Sequence, residues 1–476
     1  MNGLATVPAR LPLRRRLRAQ VMPFPLPWLP VPAGKSRAAD SVSLRGPSPS
    51  RTCADNGSRD LLPQNRRADA LPLARLHHAR RFELAEGVRL KPSRRRACRS
   101  PEPAAAAIPD PLAGLKRVKR QLIERHVRPD DLRGLLAVAL TLVPIGLLGY
   151  AACLASTLSY GLTAAITLLA SLFLLRAFVL MHECGHGSLF RSGRLNRGFG
   201  FALGVLTGMP QYVWSQHHQY HHAHNGNWDR YRGPLNIVPV SEYAAMSAVQ
   251  QRRYRSARSI WLAPLAGFMY VLLNPRRTWL TGGAGLLRHL WSNRRLQTGM
   301  PFGERIAAFR TPCWSSLQEF RHMSWNNAVA LPLWGVAAWL MGPWLFIGFY
   351  IVASALAGGA GLVLFSVQHN FEQSHASGNE GWDYTRGAIE GTSFLCLPAW
   401  LNWITVNIGY HHIHHLSARI PSYCLVDCHE EYASLFSGVT RIRLAQVPAA
   451  LKCILWDTAS QRIVSVADYQ AGLRPA

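Results

Sequence analysis

Acidic residues are scarce in this chain: 25 Asp and Glu stand against 53 Lys and Arg, for a net charge of +28. An excess of that size invites a nucleic-acid partner, but its distribution argues against one. Residues 1–100 hold 21 Lys and Arg and 6 Asp and Glu, more than half of the surplus. That stretch is rich in Pro, Ser and Arg ("SVSLRGPSPSRT", "KPSRRRACRS") and has no sustained apolar period, a composition that cannot bury a core. Residues 1–111 are therefore expected to be a disordered Arg/Pro-rich extension. An unbroken apolar stretch of the secretory-signal kind is missing too, because prolines interrupt "MPFPLPWLPVP". The Arg-rich, acid-poor start would suit an organellar transit peptide or a basic arm lying on anionic lipid. Nine cysteines are scattered, and Cys424 with Cys428 has no second pair to complete a zinc ribbon. A Gly-rich dinucleotide motif and a His-Pro-Gly-Gly haem stretch are likewise missing. Any redox chemistry would need electrons from a separate protein.

Long apolar runs are present instead. "LLAVALTLVPIGLLGYAACLA" (135–155) has no charge, and "LTAAITLLASLFLLRAFVLM" (162–181) has only Arg176. "NAVALPLWGVAAWLM" (327–341) and "WLFIGFYIVASALAGGAGLVLFSV" (344–367) follow. Lengths near 20 residues match a bilayer's hydrocarbon thickness. Four spans are expected, at about 135–155, 161–181, 326–342 and 344–367. The short, Pro-containing run at 260–274 is expected to lie in the interface. The loop 182–325 carries seventeen Arg, whereas the turns 156–161 and 342–343 carry no Lys or Arg. By the positive-inside rule the long loop and both termini are cytoplasmic.

That topology delivers every histidine cluster to one face of the membrane. Thirteen of nineteen histidines fall in four short clusters. His182 and His186 form an H-x-x-x-H box at the end of the second span. His218, His221 and His222 form H-x-x-H-H, and His411, His414 and His415 repeat it. Positions i, i+3 and i+4 share a helix face, so each triplet can aim three imidazoles at one point. His369, directly after the fourth span, is a plausible ninth donor. Eight or nine imidazoles exceed the four ligands at which zinc saturates, and suit two metals with open positions. Imidazole alone does not choose among iron, copper, zinc and nickel. His182, Glu183 and His186 also spell the H-E-x-x-H of a metalloprotease, but that reading explains neither H-x-x-H-H box.

"HECGH", "HHQYHHAHN" and "NIGYHHIHHLSARIPSY" resemble the three histidine boxes of the membrane fatty acid desaturases. The run from "QHNFEQSH" through "GWDYTRGAIEGTSFLCLPAWLNW" is similar to the bacterial acyl-lipid type, and the resemblance covers roughly 115–470. It implies an all-α membrane protein: four transmembrane helices with a cytoplasmic helical cap holding a histidine-rich di-iron site, within a domain at 112–476. It implies two ferrous ions on His182, His186, His218, His221, His222, His411, His414 and His415, with His369 as a further ligand. Unactivated methylene C–H bonds offer nothing to an acid or base, so redox-active iron and O2 fit where zinc does not. The implied reaction is desaturation of acyl chains, favouring phospholipid carriers, with two electrons from a ferredoxin-like or cytochrome-type donor. The arginine-rich cytoplasmic face would suit an acidic donor. A related di-iron lipid hydroxylase or carotenoid ketolase is the alternative. Glu183 departs from the family, which more often has Asp there. Glu183, Asp229, Glu372 and Asn407 are candidates for holding ligand imidazoles in the right tautomer. The expected location is a bacterial inner membrane.

Overall fold

In a computed structural model, residues 111–233, 235–295 and 299–472 are described. The expected extension 1–111 lies, but for Pro111, outside the described residues. Helix α1 (Pro111–His126) is amphipathic. It sinks Leu115 and Leu122 into a cluster with Ile413, Leu416 and Ile420, which ties it to the outer side of the third histidine box.

Helices α2 (Asp131–Ser156) and α3 (Tyr160–His186) form an antiparallel hairpin. The Asp130 side chain caps α2 by accepting from the Arg133 N–H at 2.8 Å, and Ser159 caps α3. Gly187 ends α3 in the left-handed region (φ 69°), which a Cβ would disfavour. Helices α4 (Gly193–Thr207) and α5 (Gln211–His224) then pack back onto α3.

Three helices among the described residues are long and apolar enough to cross a bilayer: Asp131–Ser156, Tyr160–His186 and Pro343–Val367. The segment expected as a third span, 326–342, falls in the helix Leu317–Met341, whose first half is too polar (Glu319, Arg321, Asn326, Asn327) to join them. The segment expected to lie in the interface belongs to a bent pair, Ala248–Ser256 with Ile260–Ser292, kinked by 62°. Counted as one element, that pair would make a fourth span. Its central part crosses the Pro343–Val367 helix at Gly267, where an added Cβ would stand 2.6 Å from the Gly358 carbonyl carbon. Glycine on both sides lets the two backbones touch.

The protein is mostly helical, but the expectation of an all-α fold needs one correction. Ser393–Cys396 pairs in parallel with Thr440–Arg443. Val238–Pro239, Cys453–Asp457 and Arg462–Ser465 form a three-stranded sheet. The last two make a hairpin whose apolar residues Ile454, Leu455 and Ile463 join Tyr243 and Tyr254 in a separate small core.

Candidate metal centre

Three helix ends and one loop converge below the spans. Helix α3 brings His182 and His186, one turn apart. Helix α5 brings His218, His221 and His222. The helix His411–Leu416 brings the third box, entered through Val406 and Asn407 at φ 54° and 58°. His369 stands two residues beyond the Pro343–Val367 helix and is buried.

The nine imidazoles divide into two groups: His182, His186, His218, His222 and His414, and then His221, His369, His411 and His415. Within each, the ligand atoms lie within 4.8 Å of one another. The expectation that each triplet converges on a single point is therefore corrected. Adjacent residues sit about 100° apart around a helix, so His221 and His222 face different groups, as do His414 and His415.

In the first group, the His182 and His218 Nε2 atoms are 2.9 Å apart, His186 and His182 3.2 Å, and His222 and His218 3.0 Å. In the second, His221 and His415 stand at 3.1 Å and His411 and His369 at 2.9 Å. Two nitrogens bound at right angles to one cation at ~2.1 Å would be ~3.0 Å apart. Both ring nitrogens of His414 are buried without a hydrogen-bond partner. Burial first, and neighbouring imidazoles second, hold His218, His221, His222, His411, His414 and His415 well below the ordinary histidine pKa. Burial brings His369 to about 3. These rings are neutral donors with lone pairs facing inward, a set that fits two cations.

Glu183 is fully buried. Its Oε1 lies 3.2 Å from His182 Nδ1. Its Oε2 accepts from the Ser188 hydroxyl and from the Ser422 N–H, each at 3.1 Å. Asn407 donates through Nδ2 to the Ser422 carbonyl at 3.2 Å, so both residues grip the segment just after the third box. Asp229 and Glu372 are exposed, and the Asp229 carboxylate accepts from the Asn379 N–H at 2.8 Å. The fold does not bring these two to the histidines.

Other supports escaped sequence reasoning. Trp214 stacks on His218 (4.4 Å between centroids, 18° between planes), and its indole N–H donates to the Tyr270 hydroxyl at 3.1 Å. The Tyr384 hydroxyl donates to the His415 carbonyl at 2.7 Å. Trp214 precedes His218 by four residues, so the helical period was the available signal; Tyr384 left none. His412 turns away from both groups and meets His429 Nδ1 at 3.0 Å. Arg176 is buried, donating through Nε to Thr141 Oγ1 at 2.9 Å and through Nη1 to the Trp403 carbonyl.

An apolar cavity opens onto the first group. Leu174, Phe178, Val179, Leu362 and Phe365 supply its walls, and His182, His218 and His411 form part of the same lining. The fold and site together define a class of mostly helical protein with helices long and apolar enough to cross a bilayer, in which two all-nitrogen histidine groups that could each hold a metal ion border an apolar cavity.

The profile of the fatty acid desaturase family matches residues 156–440. The chain is similar to a fatty acid desaturase of Bacillus subtilis, 32% identical over 351 residues that cover 74% of this chain and 90% of the relative. It is also similar to an sn-1 oleoyl-lipid 12-desaturase of Picosynechococcus, 26% identical over 260 residues covering 54% of this chain and 64% of the relative. A temperature-sensitive sn-2 acyl-lipid omega-3 desaturase (ferredoxin) of Arabidopsis thaliana is 27% identical over 256 residues, 53% of this chain and 52% of the relative. The chain belongs to the fatty acid desaturase family. It is an oxidoreductase of lipid metabolism that desaturates acyl chains.

Proposed function

We propose that this desaturase acts on acyl chains carried by membrane phospholipids, with two iron ions held by the nine histidines. One observation carries the reading: His182, His218 and His411 belong both to the cation-sized groups and to the wall of the apolar cavity. A hydrocarbon chain laid in that cavity passes directly over the centre. The name of the cyanobacterial relative, an oleoyl-lipid desaturase, supports a lipid-borne substrate.

Iron would supply the oxidising power, drawn from O2 and two electrons, that an unactivated methylene pair requires. Everything else falls to the chain's own residues. The walls formed by Leu174, Phe178 and Phe365 bind the methylenes and exclude water. The Glu183 carboxylate beside His182 Nδ1 keeps the proton on that nitrogen, leaving the Nε2 lone pair free. Trp214 fixes the plane of His218 by stacking.

The remaining parts of the reading concern setting. The three apolar helices and the helix Leu317–Met341 supply four crossings, with the run 260–274 in the interface and the histidines and both termini on the cytoplasmic side of a bacterial inner membrane. The donor is a separate ferredoxin-like or cytochrome-type protein; the Arabidopsis relative's name includes ferredoxin. Residues 112–476 form the catalytic domain and 1–111 an extension to it.

Fatty-acid methyl ester profiling of a bacterial host making the protein, with His218→Ala as control, tests this. A new unsaturated ester only with the intact protein is the expected result, and a hydroxylated ester instead would overturn it.

A further inference from the structure

At the foot of α2, a cleft is lined by Arg128, Asp130, Arg133, Arg191 and Asp427, with the Arg125–Glu431 pair at its edge. It shares no lining residue with the apolar cavity that borders the histidines. Three of its guanidinium groups, on Arg128, Arg133 and Arg191, make no ion pair among the described residues. All three are exposed.

The cleft is held in shape by hydrogen bonds and a cation–π contact. The Tyr423 hydroxyl accepts from the Asp130 N–H at 2.6 Å and donates to the Leu189 carbonyl at 3.3 Å. The Ser192 N–H donates to Asp131 Oδ1 at 3.0 Å, fixing Arg191 beside the helix start. The Arg133 guanidinium lies over the Tyr423 ring, 5.5 Å from its centroid.

Its depth in the bilayer follows from α2. Leu132, Leu135, Leu136 and Leu140 are exposed along that helix, beginning two residues after Asp130. Because α2 has the length and apolarity of a span, those leucines face acyl chains. The arginines just below them stand at the level of lipid phosphates. Of the carboxylates in the lining, Glu431 is engaged by Arg125 at 3.0 Å and Asp130 caps α2. Asp427 is exposed and makes no ion pair among the described residues.

We propose that this cleft is a second lipid site, separate from the acyl cavity, which binds the headgroup of an aminophospholipid. The phosphodiester sits among Arg128, Arg133 and Arg191, whose forked N–H groups match phosphate oxygens. The primary ammonium, two carbons away along the headgroup, faces Asp427. Phosphatidylethanolamine satisfies both ends. A choline headgroup has no N–H to donate to Asp427, and a glycerol headgroup leaves that carboxylate unpaired. The inference rests on α2 crossing the membrane and needs no turnover.

The test places the full-length protein in nanodiscs of equal phosphatidylethanolamine, phosphatidylcholine and phosphatidylglycerol, and identifies retained lipid by native mass spectrometry. Preferential retention of phosphatidylethanolamine is expected, falling about fivefold for each of Arg128→Gln, Arg133→Gln and Arg191→Gln. Asp427→Asn should keep bound phospholipid while abolishing the preference for ethanolamine over choline. Equal retention of the three headgroups, a preference for phosphatidylglycerol, or undiminished binding in the triple arginine variant would overturn the proposal. So would displacement of the lipid by millimolar inorganic phosphate that itself stays bound, because the ligand would then be a soluble anion. Should the triple variant fail to insert, Asp427→Asn still decides. The ester profile of the same samples reports separately on desaturation.

Discussion

Glu183 and Ser422 are 239 residues apart in sequence, yet the Ser422 N–H donates to Glu183 Oε2 at 3.1 Å. The other oxygen of that carboxylate lies 3.2 Å from His182 Nδ1. One buried side chain thus ties the end of α3 to the segment that follows the third histidine box.

Replacing this carboxylate should therefore loosen the first histidine group. Glu183→Gln is expected to weaken iron retention about 10- to 100-fold, the usual cost of losing a partner behind a ligand histidine. Glu183→Asp should keep most of it. Iron titration of the purified protein checks both, and unchanged retention in Glu183→Gln would remove the residue from the centre.

The two-group arrangement predicts how single ligand losses behave. His415→Ala should abolish new unsaturated ester in the host while the protein still inserts, because its group has only four histidines. Normal product from that variant would sink the ligand assignment.

Acid should destabilise the packing behind the third box. Burial holds His429 at about 4, below its ordinary 6.5. The unfolded chain takes up that proton first as pH falls, so the stability is fully present above about 6.5 and declines from there down to about 4. The apparent unfolding temperature should drop between pH 7 and pH 5, and drop less in His429→Phe. Equal drops in the two proteins would show that His429 contributes nothing to the effect.

The crossing at Gly267 should tolerate no side chain. Gly267→Ala would set its methyl 2.6 Å from the Gly358 carbonyl carbon, and overpacking of this kind costs about 1–3 kcal/mol. A lower unfolding temperature and a poorer yield of monodisperse protein are expected; wild-type values would mean the helices cross elsewhere.

Deleting residues 1–110 should leave desaturation intact, since the deletion stops just short of α1. Methyl ester profiling of the truncated protein is the check, and a folded but inactive product would give the extension a catalytic part.

What the sequence by itself determined was local. The spacing of His182 with His186, and of each H-x-x-H-H box, depends only on the helical period, so those ligands were legible without a fold. Unbroken apolar length marked three spans in the same way. Other features depended on which segments meet. The helix Leu317–Met341 is less apolar than the other three long helices, and the run 260–274 is part of a bent helix pair, because short apolar runs do not disclose what they pack against. Asp229 and Glu372 sit near the boxes in sequence and are exposed in the fold, whereas Tyr384, far from any box, bonds the His415 carbonyl. The division of neighbours such as His414 and His415 between two groups was decided only by tertiary structure. Residues side by side in sequence leave a helix in directions about 100° apart, and what lies in each direction is set by elements hundreds of residues away.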